Sequence, residues 1–349
     1  MVQVWLMLLC VFIQIPSICF PQKMIIKDPI VSMFPTPDLS KRMNTQLLHG
    51  ERVIALEEKF GRLKVQALEQ PFIGLTSARL EGFEGWVDAN ALQACDRFPE
   101  YNIVVQNQWA RVHKEPVIIS DVICELSFGT LLHAVRDNET CETSKTYTTW
   151  LKVRLVNGEE GFVRASDVYE LSTIKNINSI RKRLITVAQV LLETKYRVGG
   201  RSAKQVNCSG FINLLYRACG LLIPLKAHDQ YLMSRSINAS QLQPGDLVFI
   251  RQPEKRQRMA HVIMYLGEDL FIEAGNTVRI ITAEKLFRGF SVPWKELKNG
   301  AYRKKSIVYF GSFLLDKEFV DYMHSDLLEL SYLDPINSWR CTLPLVTQI

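Results

Sequence analysis

A cysteine set between a glycine-led polar loop and an amphipathic run is the residue best suited to chemistry in this chain. Residues 199–206 are mostly small or polar, Asn207-Cys208-Ser209-Gly210 follow, and Phe211, Leu214, Leu215 and Ala218 then recur at the spacing of one helix face. The pattern predicts a helix that starts near Cys208 and stops at Gly220. Unpaired N–H groups and the positive end of the dipole favour a thiolate there, and small neighbours leave its sulfur approachable. The bland alternative is a cysteine serving as a small hydrophobe. A glycine-rich polar loop is poor material for burying an inert thiol, which favours the chemical reading.

A thiolate needs a base, and the downstream residues supply one. Residues 242–250 read as a turn followed by a strand, and a second strand begins at Ala260-His261-Val262, with His261 at its mouth. A third run, residues 269–275, can return antiparallel after a tight turn at residues 267–269 and carry Glu273 back. A hairpin centred on Gly267 sets His261 opposite Glu273. Nucleophile, base and an acceptor for the second ring nitrogen are the parts of acyl-transfer chemistry.

With these residues in view, the chain resembles a known family. Asn207-Cys208-Ser209-Gly210-Phe211, the Pro-Gly-Asp-Leu-Val-Phe of residues 244–249 and the Ala-His-Val-Ile-Met-Tyr-Leu-Gly of residues 260–267 look like the three signature blocks of the NlpC-type cell-wall cysteine peptidases. The resemblance covers roughly residues 180–312. It implies a compact papain-like α+β domain, helices on an antiparallel sheet, with Cys208 as nucleophile, His261 as general base and Glu273 at the third polar position. The family usually carries Asp where this chain has Asn207, and His, Asn or Gln where it has Glu273; a glutamate accepts the ring N–H at least as well as an amide. The implied substrates are peptidoglycan stem peptides or muropeptides, cut between γ-D-glutamate and a diamino acid such as meso-diaminopimelate, without a metal or other cofactor. Tyr196 falls where relatives line the cleft with an aromatic, and Ser209 where they meet the substrate's amine end; Ser209 could equally cap the helix. An amidase or acyltransferase on the same scaffold, and a non-catalytic wall-binding protein, are the alternative readings.

The elements that must position these groups fall into segments. The chain has 349 residues, 47% hydrophobic and 22% charged, enough for two or three domains with their own cores. A net charge of +6 suits an anionic polymer such as a cell wall, and no arginine-rich block or RNA-binding aromatic motif points to nucleic acid. Residues 1–22 are expected to be an export signal, since residues 2–15 form an apolar run too short for a comfortable membrane span, although no Lys or Arg precedes Lys23. Export would place the protein in the periplasm or cell envelope, without a stable membrane span and as a monomer. The eight cysteines include no Cys-x-x-Cys or His-Cys cluster with zinc spacing.

Residues 24–172 are rich in short alternating strands and repeat internally. Residues 46–56 echo 125–135, residues 62–65 echo 150–153, and residues 85–92 echo 161–168. Three echoes in the same order argue for two copies of one small all-β unit, over residues 23–98 and 99–172. They resemble a pair of bacterial SH3-like barrels. In relatives with this arrangement the first barrel closes one end of the cleft, and an acidic residue and a tyrosine there help bind a free amino terminus. Glu51, Phe83 and Trp86 are the residues that this resemblance puts near the substrate, with Phe83 in the tyrosine's place. Phe83 and Asn207 together remove hydroxyl and anionic character from such a pocket. The catalytic domain is expected over residues 173–312, opening on a helix across residues 173–193, with residues 313–349 as a C-terminal extension that carries an amphipathic stretch at residues 319–330.

Overall fold

The computed structural model describes residues 20–38, 41–73, 80–135, 150–174, 176–252, 254 and 258–315. Nearly all of the expected export signal and nearly all of the C-terminal extension lie outside these.

The first β unit comprises β1 (Gln22–Ile26), β2 (Ile30–Met33), β3 (Thr45–Leu48), β4 (Arg52–Lys59), β5 (Arg62–Ile73), β6 (Leu80–Asp88) and β7 (Leu92–Ala94). The second comprises β8 (Ile103–Val105), β9 (Trp109–His113), β10 (Val122–Ser127), β11 (Leu131–Ala134), β12 (Trp150–Arg154), β13 (Glu160–Arg164) and β14 (Val168–Glu170). The strand order β6-β5-β4-β1-β7 in the first recurs as β13-β12-β11-β8-β14 in the second, and the β2–β3 pair recurs as β9–β10. Each last strand follows a 3-10 turn, Ala89–Ala91 in one and Ala165–Asp167 in the other. The echoes in the sequence therefore occupy equivalent places in two topologically equivalent units. Each unit packs its own core, around Met33, Leu47 and Val65 in the first and Val105, Val112 and Val163 in the second.

The third region opens on α1 (Ile177–Ala188), whose Asn176 and Ser179 exchange the reciprocal hydrogen bonds of a capping box. A two-residue hairpin, β15 (Arg201–Ser202) with β16 (Gln205–Val206), leads into α2 (Cys208–Arg217), and α3 (Ala227–Met233) follows. A six-strand path then runs β17 (Arg235–Ser236), β23 (Ser306–Ser312), β18 (Leu247–Arg251), β19 (Met259–Gly267), β20 (Leu270–Ala274) and β21 (Val278–Thr282), with β22 (Ala301–Arg303) paired to β23. Every pairing is antiparallel. Side chains alternate between the faces. Leu247, Phe249, Val262 and Met264 join the core under α1 and α2, while Val248, Ile263 and Tyr265 join a second cluster with Phe287. No described helix is long and apolar enough to cross a membrane.

The β units and this third region share one interior. Leu48 of the first unit and Val104, Phe128 and Leu131 of the second lie in the same apolar cluster as Leu214 and Phe211 of α2. Glu51, 1% exposed, crosses the seam: its Oε1 accepts from Arg201 Nη1 at 2.6 Å and its Oε2 from Gln70 Nε2 at 2.9 Å. Gln46 adds a second tie, accepting from the Arg201 N–H at 3.0 Å and the Ser202 hydroxyl at 2.9 Å. Arg217 donates through Nε to the Gly129 carbonyl of the second unit at 2.9 Å.

Candidate active site

Cys208 is the first residue of α2, and the side chain of Asn207 caps that helix by accepting from the Gly210 N–H at 2.6 Å. The cap is therefore Asn207 and not Ser209, whose hydroxyl reaches only Asn207 Oδ1 at 3.4 Å and whose carbonyl accepts from Gln230 Nε2 at 3.1 Å. The approach loop is seated by close backbone contact. Gly199 has a φ of +79°, and a Cβ there would stand 2.5 Å from the Met43 carbonyl of the first β unit.

His261 lies in β19 opposite Ile250 of β18. Its Nε2 shares a 2.7 Å hydrogen bond with Glu273 Oε2, which leaves Nδ1 to meet the Cys208 sulfur. Glu273 is held in turn. It stands directly across from Arg279 in the β20–β21 pair, and the guanidinium donates to Oε1 from Nε at 3.0 Å and Nη2 at 2.7 Å. Each carboxylate oxygen thus has its own partner, and the imidazole orientation follows from the Oε2 bond.

The hairpin differs in register from the sequence expectation. Glu268 and Asp269 both have positive φ, as a two-residue turn of the primed type requires, and the ladder shifts between Tyr265 and Gly267. Met264 then faces Ile272, and continuing that register puts Glu273 across from Ile263. His261 is two residues along on the same face. The 2.7 Å bond is therefore diagonal, a displacement by two that keeps both side chains on one side of the sheet.

Burial by itself would raise the Cys208 thiol. The hydrogen bond with His261, the imidazole's charge and the N–H groups of Val262 and Ser209 outweigh it and hold the thiol below its ordinary range. Burial likewise opposes charge on His261, yet the bonds to Cys208 and Glu273 raise it to about 9. Glu273 is held below the usual carboxylate range against its burial by His261 and Arg279. The three directions agree on a thiolate–imidazolium pair backed by a carboxylate.

The remaining expected site residues divide. Tyr196 is 39% exposed, and its phenol is pushed up by burial and by the charge of the Cys208 sulfur, so it lies within electrostatic reach of the nucleophile. Phe83 meets Phe72 edge-on at 5.6 Å and lies under the Lys226 ammonium, 4.3 Å from its ring centre. Trp86 is buried, its backbone bridged to Phe34. Glu51 is enclosed in the seam, with one oxygen accepting from Arg201 and the other from Gln70. Two residues beside the site escaped the reading of the sequence. Arg279 had a signal, a hairpin around Gly275-Asn276 that brings it back to Glu273; Lys226 had none, because its neighbours Phe83 and Asn44 belong to another domain. Among the described residues no group of three His, Cys, Asp or Glu side chains could hold a metal.

Residues 193–301 match the model of the NlpC/P60 family. A dipeptidyl-peptidase 6 of Lysinibacillus sphaericus is 26% identical over 262 residues, 72% of this chain and 88% of that one. A gamma-D-glutamyl-L-lysine dipeptidyl-peptidase of Bacillus cereus is 25% identical over 69% of this chain and 70% of its own length. A murein DD-endopeptidase/murein LD-carboxypeptidase of Escherichia coli is 27% identical over 55% of this chain and 97% of its own. The crystal structure of an NlpC/P60 family protein from Bacillus cereus, 22% identical, superposes with a TM-score of 0.65 over 84% of this chain and all of that one, which establishes a shared fold. With Cys208, His261 and Glu273 assembled inside the matched segment, the chain carries an NlpC/P60 domain.

Proposed function

We propose that the protein is a cysteine peptidase of peptidoglycan that hydrolyses the γ-D-glutamyl–diamino acid bond of stem peptides through Cys208, His261 and Glu273. The observation that carries this reading is the sulfur–imidazole–carboxylate chain at the start of α2, with the thiol lowered and the imidazole raised. The names of two relatives, dipeptidyl-peptidases one of which is named for a γ-D-glutamyl-L-lysine bond, support the substrate class.

The steps follow from the parts. The Cys208 thiolate attacks the amide carbonyl carbon and forms a C–S bond, while N–H groups at the start of α2 stabilise the developing oxyanion. His261 gives the Nδ1 proton to the leaving nitrogen as the C–N bond breaks. It then takes a proton from water, whose oxygen attacks the thioester and releases the acid and the thiolate. Glu273, held by Arg279, keeps the ring in place throughout. The two β units and the expected export signal suit work at the cell wall.

The test is digestion of a defined stem peptide with mass spectrometry of the products. The wild-type chain is expected to yield the γ-D-glutamyl fragment, and Cys208→Ala to lose at least about a thousandfold in turnover with its circular dichroism unchanged. Hydrolysis surviving in Cys208→Ala would remove Cys208 from the mechanism. Products cut at the amino end of the stem would instead favour an amidase, and binding without turnover a wall-binding protein.

A further inference from the structure

Four cations that the mechanism does not use line a groove beside the loop leading to the nucleophile. The groove, about 660 Å³, lies between the first β unit, which supplies Lys41 and Arg42, and the approach loop, which supplies Arg197 and Lys204. All four are exposed, and among the described residues none forms an ion pair or a side-chain hydrogen bond. Asp28 is the single acid in the described lining. Two other hollows differ. One of about 360 Å³ across β2 holds Arg62, which pairs with Asp88. One of about 510 Å³ between the β units holds Arg97 and Arg154, paired with Glu100 at 3.4 Å and Glu160 at 2.9 Å. Arg97 and Arg154 are exposed too, so exposure does not account for the difference.

Local sequence does. Residues 197–206 carry Arg197, Arg201 and Lys204 and no acid. Glu51 serves Arg201 inside the seam, which leaves Arg197 and Lys204 without a carboxylate. Four like charges around one groove raise a positive potential that an anionic ligand neutralises. The backbone behind these side chains is tied down: the Arg197 N–H donates to the Val206 carbonyl at 2.9 Å and the Asn207 N–H to the Gly200 carbonyl at 2.8 Å. Gln205, also in the lining, meets the Met43 sulfur at 3.9 Å and so joins the two walls. It stands three residues before Cys208, so the groove lies within about 11 Å of the nucleophile along the chain.

We propose that this groove is an accessory binding site for a second stem peptide, cross-linked to the one in the cleft, whose carboxylates meet Arg42, Arg197 and Lys204. The inference rests on the peptidase reading above. Proximity selects a peptide over a separate polymer: a stem of about four residues spans roughly 14 Å when extended, enough to run from Cys208 to the groove. A fragment held at two places gains through effective concentration, with no change at the reacting atoms. The cations are exposed, so the gain belongs to KM and is screened by salt.

The experiment compares a single stem peptide with a cross-linked pair of the same sequence, using the full-length chain. The wild type is expected to show a KM about tenfold lower for the pair at low salt with kcat unchanged, and an advantage of only about twofold at high salt. Replacing Arg42, Arg197 and Lys204 together by Gln is expected to abolish the advantage while the single peptide keeps its kcat/KM within about twofold. A second readout needs no turnover: calorimetric binding of both peptides to Cys208→Ala, with and without the three groove substitutions. An advantage that survives the triple substitution or ignores salt, or equal binding of the two peptides, would overturn the assignment. So would tighter binding of a glycerol phosphate oligomer of equal charge, which would give the groove to another polymer. If the wild type cuts neither peptide, the peptidase reading fails while the binding measurement still decides the groove.

Discussion

The two ends of α2 carry one cysteine each, and they differ in every property that matters to a nucleophile. Cys208 at the amino end and Cys219 just past the carboxyl end are both buried, at 8% and 0% exposure. Burial pushes the Cys219 thiol to about 12, with only Arg183 acting against it. Burial pushes Cys208 the same way, yet an imidazole and two backbone N–H groups bring it below the ordinary thiol range. Enclosure is common to both, so it does not make the nucleophile. Hydrogen-bond donors aimed at the sulfur do, and only the amino end of a helix leaves such groups unpaired.

The contrast can be broken most severely at His261. Removing the ring in His261→Ala takes away the largest opponent of burial, so Cys208 should come to resemble Cys219, with kcat/KM falling by about 10²–10⁴ and the rate of iodoacetamide labelling at pH 7 falling with it. Labelling that stays fast would mean the helix start alone sustains the thiolate. Next in size is Glu273→Gln, expected to cost about 10–100-fold. Its sharper signature is the pH profile. The pair is active once the thiol has ionised and until His261 loses its proton, so the wild-type alkaline limb should lie near pH 9. Glu273 raises His261, and its removal should move that limb to lower pH; an unmoved limb would show that the carboxylate does not hold the imidazolium. Within the wild type, Cys95 and Cys124, each pushed to about 11 by burial, and Cys219 should all label far more slowly than Cys208 at pH 7, which peptide mapping after a short pulse would reveal. The smallest effect belongs to Cys219→Ala: unchanged kinetics and a loss of about 1 kcal/mol in urea unfolding, since only a small buried group is removed.

Much of the site was legible because its parts are local. The glycine-led loop and the periodicity of Phe211, Leu214 and Leu215 located the helix start, and the short strands around His261 and Glu273 located a hairpin. The register was not legible, since it hinged on where the chain would take positive φ; a two-residue turn at Glu268-Asp269 and the irregularity after Tyr265 moved the pairing by two. The internal echoes located a repeat, and the structure extends it to a full correspondence of strand order. What the sequence concealed are encounters between distant segments. The resemblance directed Glu51 to the substrate, but Arg201 and Gln70 enclose it. Nothing around Lys226 in the sequence announces Phe83 above it.

The carboxylate of Glu51 and the guanidinium of Arg201 have a consequence for how the molecule could have been assembled and how it can be dismantled. They come from different modules, and both are almost wholly buried. Removing either partner alone while the seam stays closed would leave the other charge buried and unpaired, at a cost of several kcal/mol. The amino-terminal unit is thus a wall of the enzyme and not a detachable bead, and a truncated catalytic segment would begin life with an open cationic wound where its neighbour had been.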